Sequence, residues 1–116
     1  MEAMMEKYKY QSEYDLFLKA QEAAREACQK MMNENPDQWF PCGFAWVNIR
    51  PARGSFVAML KDKDIGRTDS YEGGYSIWNP SQHPTQWMDA KVAGARAFAK
   101  VLSEAGVKCG AYSRID

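Results

Sequence analysis

A chain of 116 residues, 46% hydrophobic and 26% charged, has the size and balance of one globular domain that folds without disulfides or a structural metal. Its formal net charge is zero, but residues 1–37 carry eight acidic and five basic side chains and residues 38–116 carry seven and ten, so the two parts stand at −3 and +3. That balance excludes a disordered tail and does not demand nucleic acid, although it biases which face meets an anion.

Residues 1–11 read as a loose arm or a short edge strand. Ser12-Glu13-Tyr14-Asp15 offers a capping oxygen followed by carboxylates in a first turn, so a helix is predicted to begin there. Phe17, Ala20, Ala24, Cys28 and Met31 recur at three- and four-residue spacing and give that helix one apolar face. Pro36 ends it, because proline lacks the amide hydrogen and disfavours helix in the residue before it. An aromatic-rich strand is predicted over residues 39–49, with Phe40, Phe44 and Trp46 on one side and Ala45, Val47 and Ile49 on the other. A strand apolar on both sides reads as central and covered on both faces.

Pro51 and Gly54 break that strand, and a short helix is predicted over residues 55–63 with Phe56, Met59 and Leu60 inward. Gly66 is the expected left-handed closure of this helix. A polar loop, Arg67-Thr68-Asp69-Ser70, leads to a second strand over residues 73–78. The cluster Asn79-Pro80-Ser81-Gln82-His83-Pro84-Thr85 is a turn with Thr85 as N-cap. In the helix that follows, Met88, Val92, Ala95, Ala99 and Leu102 mark one stripe. Ala90, Ala93, Gly94 and Ala97 form a small-residue face suited to close approach. A last strand is predicted over residues 107–115.

The order α, β, α, β, α, β with short connections predicts a single α/β (α+β) domain over residues 12–116, a two-layer sandwich of three helices and three to four strands. If residues 6–11 pair as an extra edge strand, the plan approaches the ferredoxin-like one. Cys28, Cys42 and Cys109 are odd in number, follow no paired spacing and come after no signal-like apolar run, as expected of a reduced, cytosolic protein. A bilayer span needs about 20 apolar residues, and charges interrupt every segment sooner, so no membrane partner is expected. One histidine and scattered cysteines give no metal-ligand spacing. No cofactor motif of the GxGxxG or P-loop type is present.

Pro41-Cys42-Gly43-Phe44-Ala45-Trp46, Arg50-Pro51-Ala52-Arg53-Gly54, Gly73-Gly74-Tyr75, Met88-Asp89-Ala90-Lys91 and the closing Ser113-Arg114-Ile115-Asp116 resemble a group of short tailed-bacteriophage proteins. The resemblance covers roughly residues 40–116. It implies a phage setting in the cytoplasm of an infected bacterium and transfers no catalytic or binding residue. In that setting a small accessory protein that modulates a host machine or counters a host defence is the expectation.

The candidate site residues follow from chemistry. Arg50 and Arg53 flank a turn at a helix start, where amides and guanidinium forks favour an anion. The bland reading is solvated charge, or an ion pair to Asp69 or Glu72. Phe44, Trp46, Tyr71, Tyr75, Trp78 and Tyr112 on neighbouring strands could stack a base beside arginine. Core packing is the expectation for Phe44 and Trp46, and a ligand role for Tyr75, Trp78 and Tyr112. Asp89 stabilises a helix N-terminus whatever else it does, and Arg114 and Asp116 are expected to face away from the core. Cys42, His83 and Asp89 make a nucleophile, base and orienter only on paper, since a thiol in an apolar strand stays protonated.

The reading these features support first is a non-enzymatic protein that binds and inhibits or sequesters a host component through Arg50, Arg53, Tyr75, Trp78 and Arg114. A small enzyme acting on a nucleotide or other anionic metabolite, with Glu72 or Asp89 as acid or base, is the alternative. Nucleic-acid binding is a third reading that the neutral net charge disfavours. The methionine and alanine face of the first helix is a candidate surface for self-association.

Overall fold

The structure, a computed structural model, describes residues 9–38 and 40–116. The expectation of an arm or edge strand falls largely outside these residues. Of its last three, Lys9 and Tyr10 form a turn and Gln11 is already helical. In chain order the elements are α1 (Gln11–Glu34), β1 (Gly43–Ile49), α2 (Ser55–Asp62), β2 (Arg67–Thr68), β3 (Tyr75–Trp78), α3 (Met88–Glu104) and β4 (Cys109–Ile115).

The four strands form one antiparallel sheet in the order β2-β3-β1-β4. From β1 onward the chain is therefore β-α-β-β-α-β, with β3 inserted between β1 and β2 and β1 inserted between β3 and β4. This is the split β-α-β, ferredoxin-like plan, preceded by one extra helix. Its fourth strand is β2, which lies within the segment expected to be a polar loop. Arg67 and Thr68 pair with Ser76 and Tyr75.

Side chains alternate across a strand, and the register sorts them into two faces. Ala45, Val47 and Ile49 of β1 and Tyr75 and Ile77 of β3 face the helices. There they meet Phe56, Val57, Met59 and Leu60 of α2 and Ala95, Phe98, Ala99 and Leu102 of α3 in one buried core. Phe17, Ala20 and Ala24 of α1 complete that core, with Phe17 edge-on to Phe98 at 5.8 Å. Gly94 is what lets the two long helices come close: a Cβ there would lie 3.1 Å from the Ala24 carbonyl oxygen. A second small cluster joins Cys28 of α1 to Trp87 and Ala90, flanked by Met31 and Met32. The apolar face of α1 is thus covered by α3, and the self-association surface expected on it is not available.

Boundaries shift for local reasons. The first strand begins at Gly43 with Phe40 in the exposed segment before it, and Trp39 lies outside the described residues. Helix α3 starts at Met88 because the Thr85 hydroxyl accepts the Trp87 amide in a turn of its own, two residues before the helix cap. After α2 it is Asp64, at φ 57°, that first turns left-handed, followed by Gly66 at φ 73°. Ile115, expected inward, is exposed at the far end of β4.

Candidate functional site: the open face of the sheet

The helices cover one face of the sheet, and the opposite face carries the side chains of alternate register. Those are Phe44, Trp46 and Asn48 on β1, Ser76 and Trp78 on β3, Gly110, Tyr112 and Arg114 on β4, and Arg67 on β2. The expectation that β1 is covered on both sides, with Phe44 and Trp46 in the core, is corrected here. Both rings stand on the open face and are only half-buried.

The rings form a ladder across three strands, as directly opposed cross-strand pairs do. Trp46 stacks on Trp78 at 4.6 Å and 16°, and on Tyr112 at 6.2 Å and 23°. Phe44 meets Trp78 edge-on at 6.0 Å. Guanidinium groups border the ladder: Arg67 lies 5.9 Å from the Trp78 ring, and Arg114 lies 5.5 Å from Phe44 and 5.9 Å from Trp78. Such cation–aromatic contacts hold a charged head flat against a ring while leaving its outer N–H groups for a ligand. Among the described residues the ion pairs are Arg25 with Glu22 and Lys30 with Glu34, both on α1. The arginines of the open face are in neither.

The segment from Asp69 to Gly74 folds over this face. The Asp69 carboxylate accepts the amides of Tyr71 and Glu72 and the Ser76 hydroxyl, and the Asp69 amide donates to the Gly74 carbonyl. The Glu72 and Tyr71 amides, that hydroxyl and the charge of Arg50 hold the Asp69 carboxyl below its usual value. Gly74 has φ 78°, and a Cβ on it would lie 2.4 Å from Asn48 Oδ1, so only glycine brings the chain this close. Asn48 is 3% exposed and donates to the Gly73 carbonyl and the Ser76 hydroxyl, while its Oδ1 accepts no hydrogen bond.

Cavities open along the face, among them three around Trp46 and Tyr112. The largest, about 680 Å³, lies between Trp46, Trp78, Arg67, Arg114 and the Asp69–Glu72 turn, with the fully exposed Tyr71 at its rim. On the other side of Trp46 a slot of about 250 Å³ is lined by Trp46, Asn48, Arg50, Glu72, Tyr112 and Ser113. It adjoins a shallower hollow of about 580 Å³, where Asn48, Arg50 and Tyr112 recur beside Arg53 and Lys108.

The structure thus brings Arg50, Arg53, Trp78 and Arg114 to this surface, but not the other two candidate site residues. Tyr75 is a core residue: it faces the helices, is 3% exposed, and its hydroxyl donates to the Ile65 carbonyl. Burial raises its phenol pKa. Asp89 is exposed in the first turn of α3, on the helix side, and lines none of the three cavities. His83 contacts Gln29 Oε1 at 3.1 Å through Nε2 and accepts the Thr85 amide on Nδ1, so it is aligned with neither Cys42 nor Asp89. Burial raises the Cys28 and Cys109 thiols above their ordinary pKa.

Phe44 and Trp46, expected in the core, belong to the surface, as do Arg67 and Lys108. The signal for the first two was the alternation of β1 itself, which puts both rings opposite Ala45, Val47 and Ile49. No family model, curated protein or solved structure matches the chain. No helix of the described residues is long and apolar enough to cross a membrane.

Proposed function

We propose that this chain is a small accessory protein of a tailed bacteriophage that binds a host component on its open sheet face, in the cytoplasm of the infected cell. Holding that component blocks its use in host defence. The phage setting rests on the resemblance of residues 40–116.

The observation that carries the binding surface is the aromatic ladder. Phe44, Trp46, Trp78 and Tyr112 contribute to no buried core, although aromatic rings are the side chains that gain most from burial. Rings left on a surface beside arginines have the composition of binding hot spots, where tryptophan, tyrosine and arginine dominate.

The test is native mass spectrometry of the protein purified from infected cells, read at gentle and denaturing settings. The wild-type chain is expected to carry an additional mass that is lost on denaturation. A Trp78→Ala/Arg114→Ala variant is expected to lose that mass while its thermal midpoint stays within a few degrees, because both side chains lie outside the core. Retention of the mass by this variant, or its loss on Arg96→Ala on the helix side, would place the partner elsewhere and end this reading.

A further inference from the structure

Resting on that reading, we propose that the slot lined by Trp46 and Tyr112 takes a nucleobase and that Arg50, Arg53 and Lys108 take the phosphates attached to it. Three independent features converge on this ligand class. The first is ring geometry. A nucleobase of any identity is held by stacking on an aromatic ring face. Trp46 and Tyr112, with ring centroids 6.2 Å apart and planes within 23° of parallel, both line the slot. Tyr112 is half-exposed on the outermost strand, where its ring is open to a ligand.

The second feature is shape and polarity. The slot holds about 250 Å³, room for one flat heterocycle, and its lining mixes two ring faces with Asn48, Arg50 and Glu72. Hydrogen-bonding groups beside an aromatic face read the edge of a base, while the ring holds its face. Gly110, opposite Asn48 on β4, adds no side chain to the adjoining hollow. A Cβ there would lie 3.2 Å from the Tyr112 hydroxyl.

The third feature is charge. The hollow that continues from the slot shares Asn48, Arg50 and Tyr112 with it and adds Arg53 and Lys108, with no carboxylate in its lining. Three cations lining the hollow beside a base slot complement a phosphate chain, and guanidinium forks bind phosphate in two-point geometry. The same base-plus-phosphate chemistry is offered by a free nucleotide and by an unpaired stretch of a nucleic-acid strand. A duplex is excluded, because its bases are already stacked and paired.

Isothermal titration of the full chain with each of the four ribonucleoside triphosphates, a short oligothymidylate and tripolyphosphate tests this. Saturable binding of at least one triphosphate is expected, about tenfold or more tighter than tripolyphosphate. Tyr112→Ala should weaken it about 10- to 100-fold, Tyr112→Phe should preserve it, and Arg50→Ala should weaken it again. Binding of the oligothymidylate alone, with the same dependence on Tyr112 and Arg50, upholds the proposal and identifies a strand as the source. The proposal is overturned if nothing bearing a base binds, if tripolyphosphate binds equally well, or if a folded Tyr112→Ala chain binds as wild type does. Should no base bind while the Trp78→Ala/Arg114→Ala variant still loses its host mass, the slot assignment fails and the binding reading stands.

Discussion

Asp69 shows how one side chain sets the wall beside an open sheet face. Its carboxylate gathers two amides and a hydroxyl, and these bonds exist only while the segment up to Gly74 stays folded over the sheet. Because its folded pKa lies below the ordinary aspartate value of 3.8, the stabilisation is complete above that value and is lost as pH falls through the lower folded one. Thermal unfolding followed from neutral to strongly acidic pH should show this. Asp69→Asn is expected to lower the midpoint at neutral pH and to flatten its fall on acidification, whereas an unchanged acid limb would assign that limb to other carboxylates. Tyr75 teaches the converse lesson. A glycine-flanked tyrosine looked free for a ligand, but its hydroxyl finds the Ile65 carbonyl, and that bond lets the ring join the core.

At the scale of elements, the helices were legible and the roles of the strand faces were not. Phe17, Ala20, Ala24 and Cys28 recur at helical spacing, and all four are buried where that spacing puts them. The small residues of α3 announced a close approach, which Gly94 makes against α1. Gly94→Val should therefore cost about 1–3 kcal/mol through overpacking, read as a shift of the denaturation midpoint at constant slope; an unchanged midpoint would mean that the helix pair has slack. Strand β2 escaped notice because two exposed residues carry no periodicity and exist as a strand only through their pairing with β3. The sidedness of β1 was readable, but which side is covered was not, since an aromatic ring is equally apolar whether it packs against a helix or waits for a ligand. The cations were visible one by one. What joins Arg50 to Tyr112 and Lys108 is the pairing of β4 with β1, a long-range fact with no local signature.

For the whole molecule, α1 is the test of what counts as the domain. It lies outside the β-α-β-β-α-β plan, yet Phe17, Ala20 and Ala24 sit in the main core and Cys28 in the second. A chain of residues 36–116 is expected to expose the apolar flank of α3, bind a hydrophobic dye and lose its cooperative unfolding transition, as seen by calorimetry; a sharp transition near that of the full chain would show α1 to be an accessory. The one-sided sheet also bears on how such a protein changes over generations. Along β1 Ala45, Val47 and Ile49 answer to the helices, Asn48 holds the segment folded over the sheet, and Phe44 and Trp46 stand on the open face. Substitutions at Phe44, Trp46, Trp78, Tyr112 and Arg114 can therefore accumulate while Ala45, Val47, Ile49 and Ile77 keep the scaffold standing. A lineage built on this plan can rework one face of its sheet without relearning how to fold.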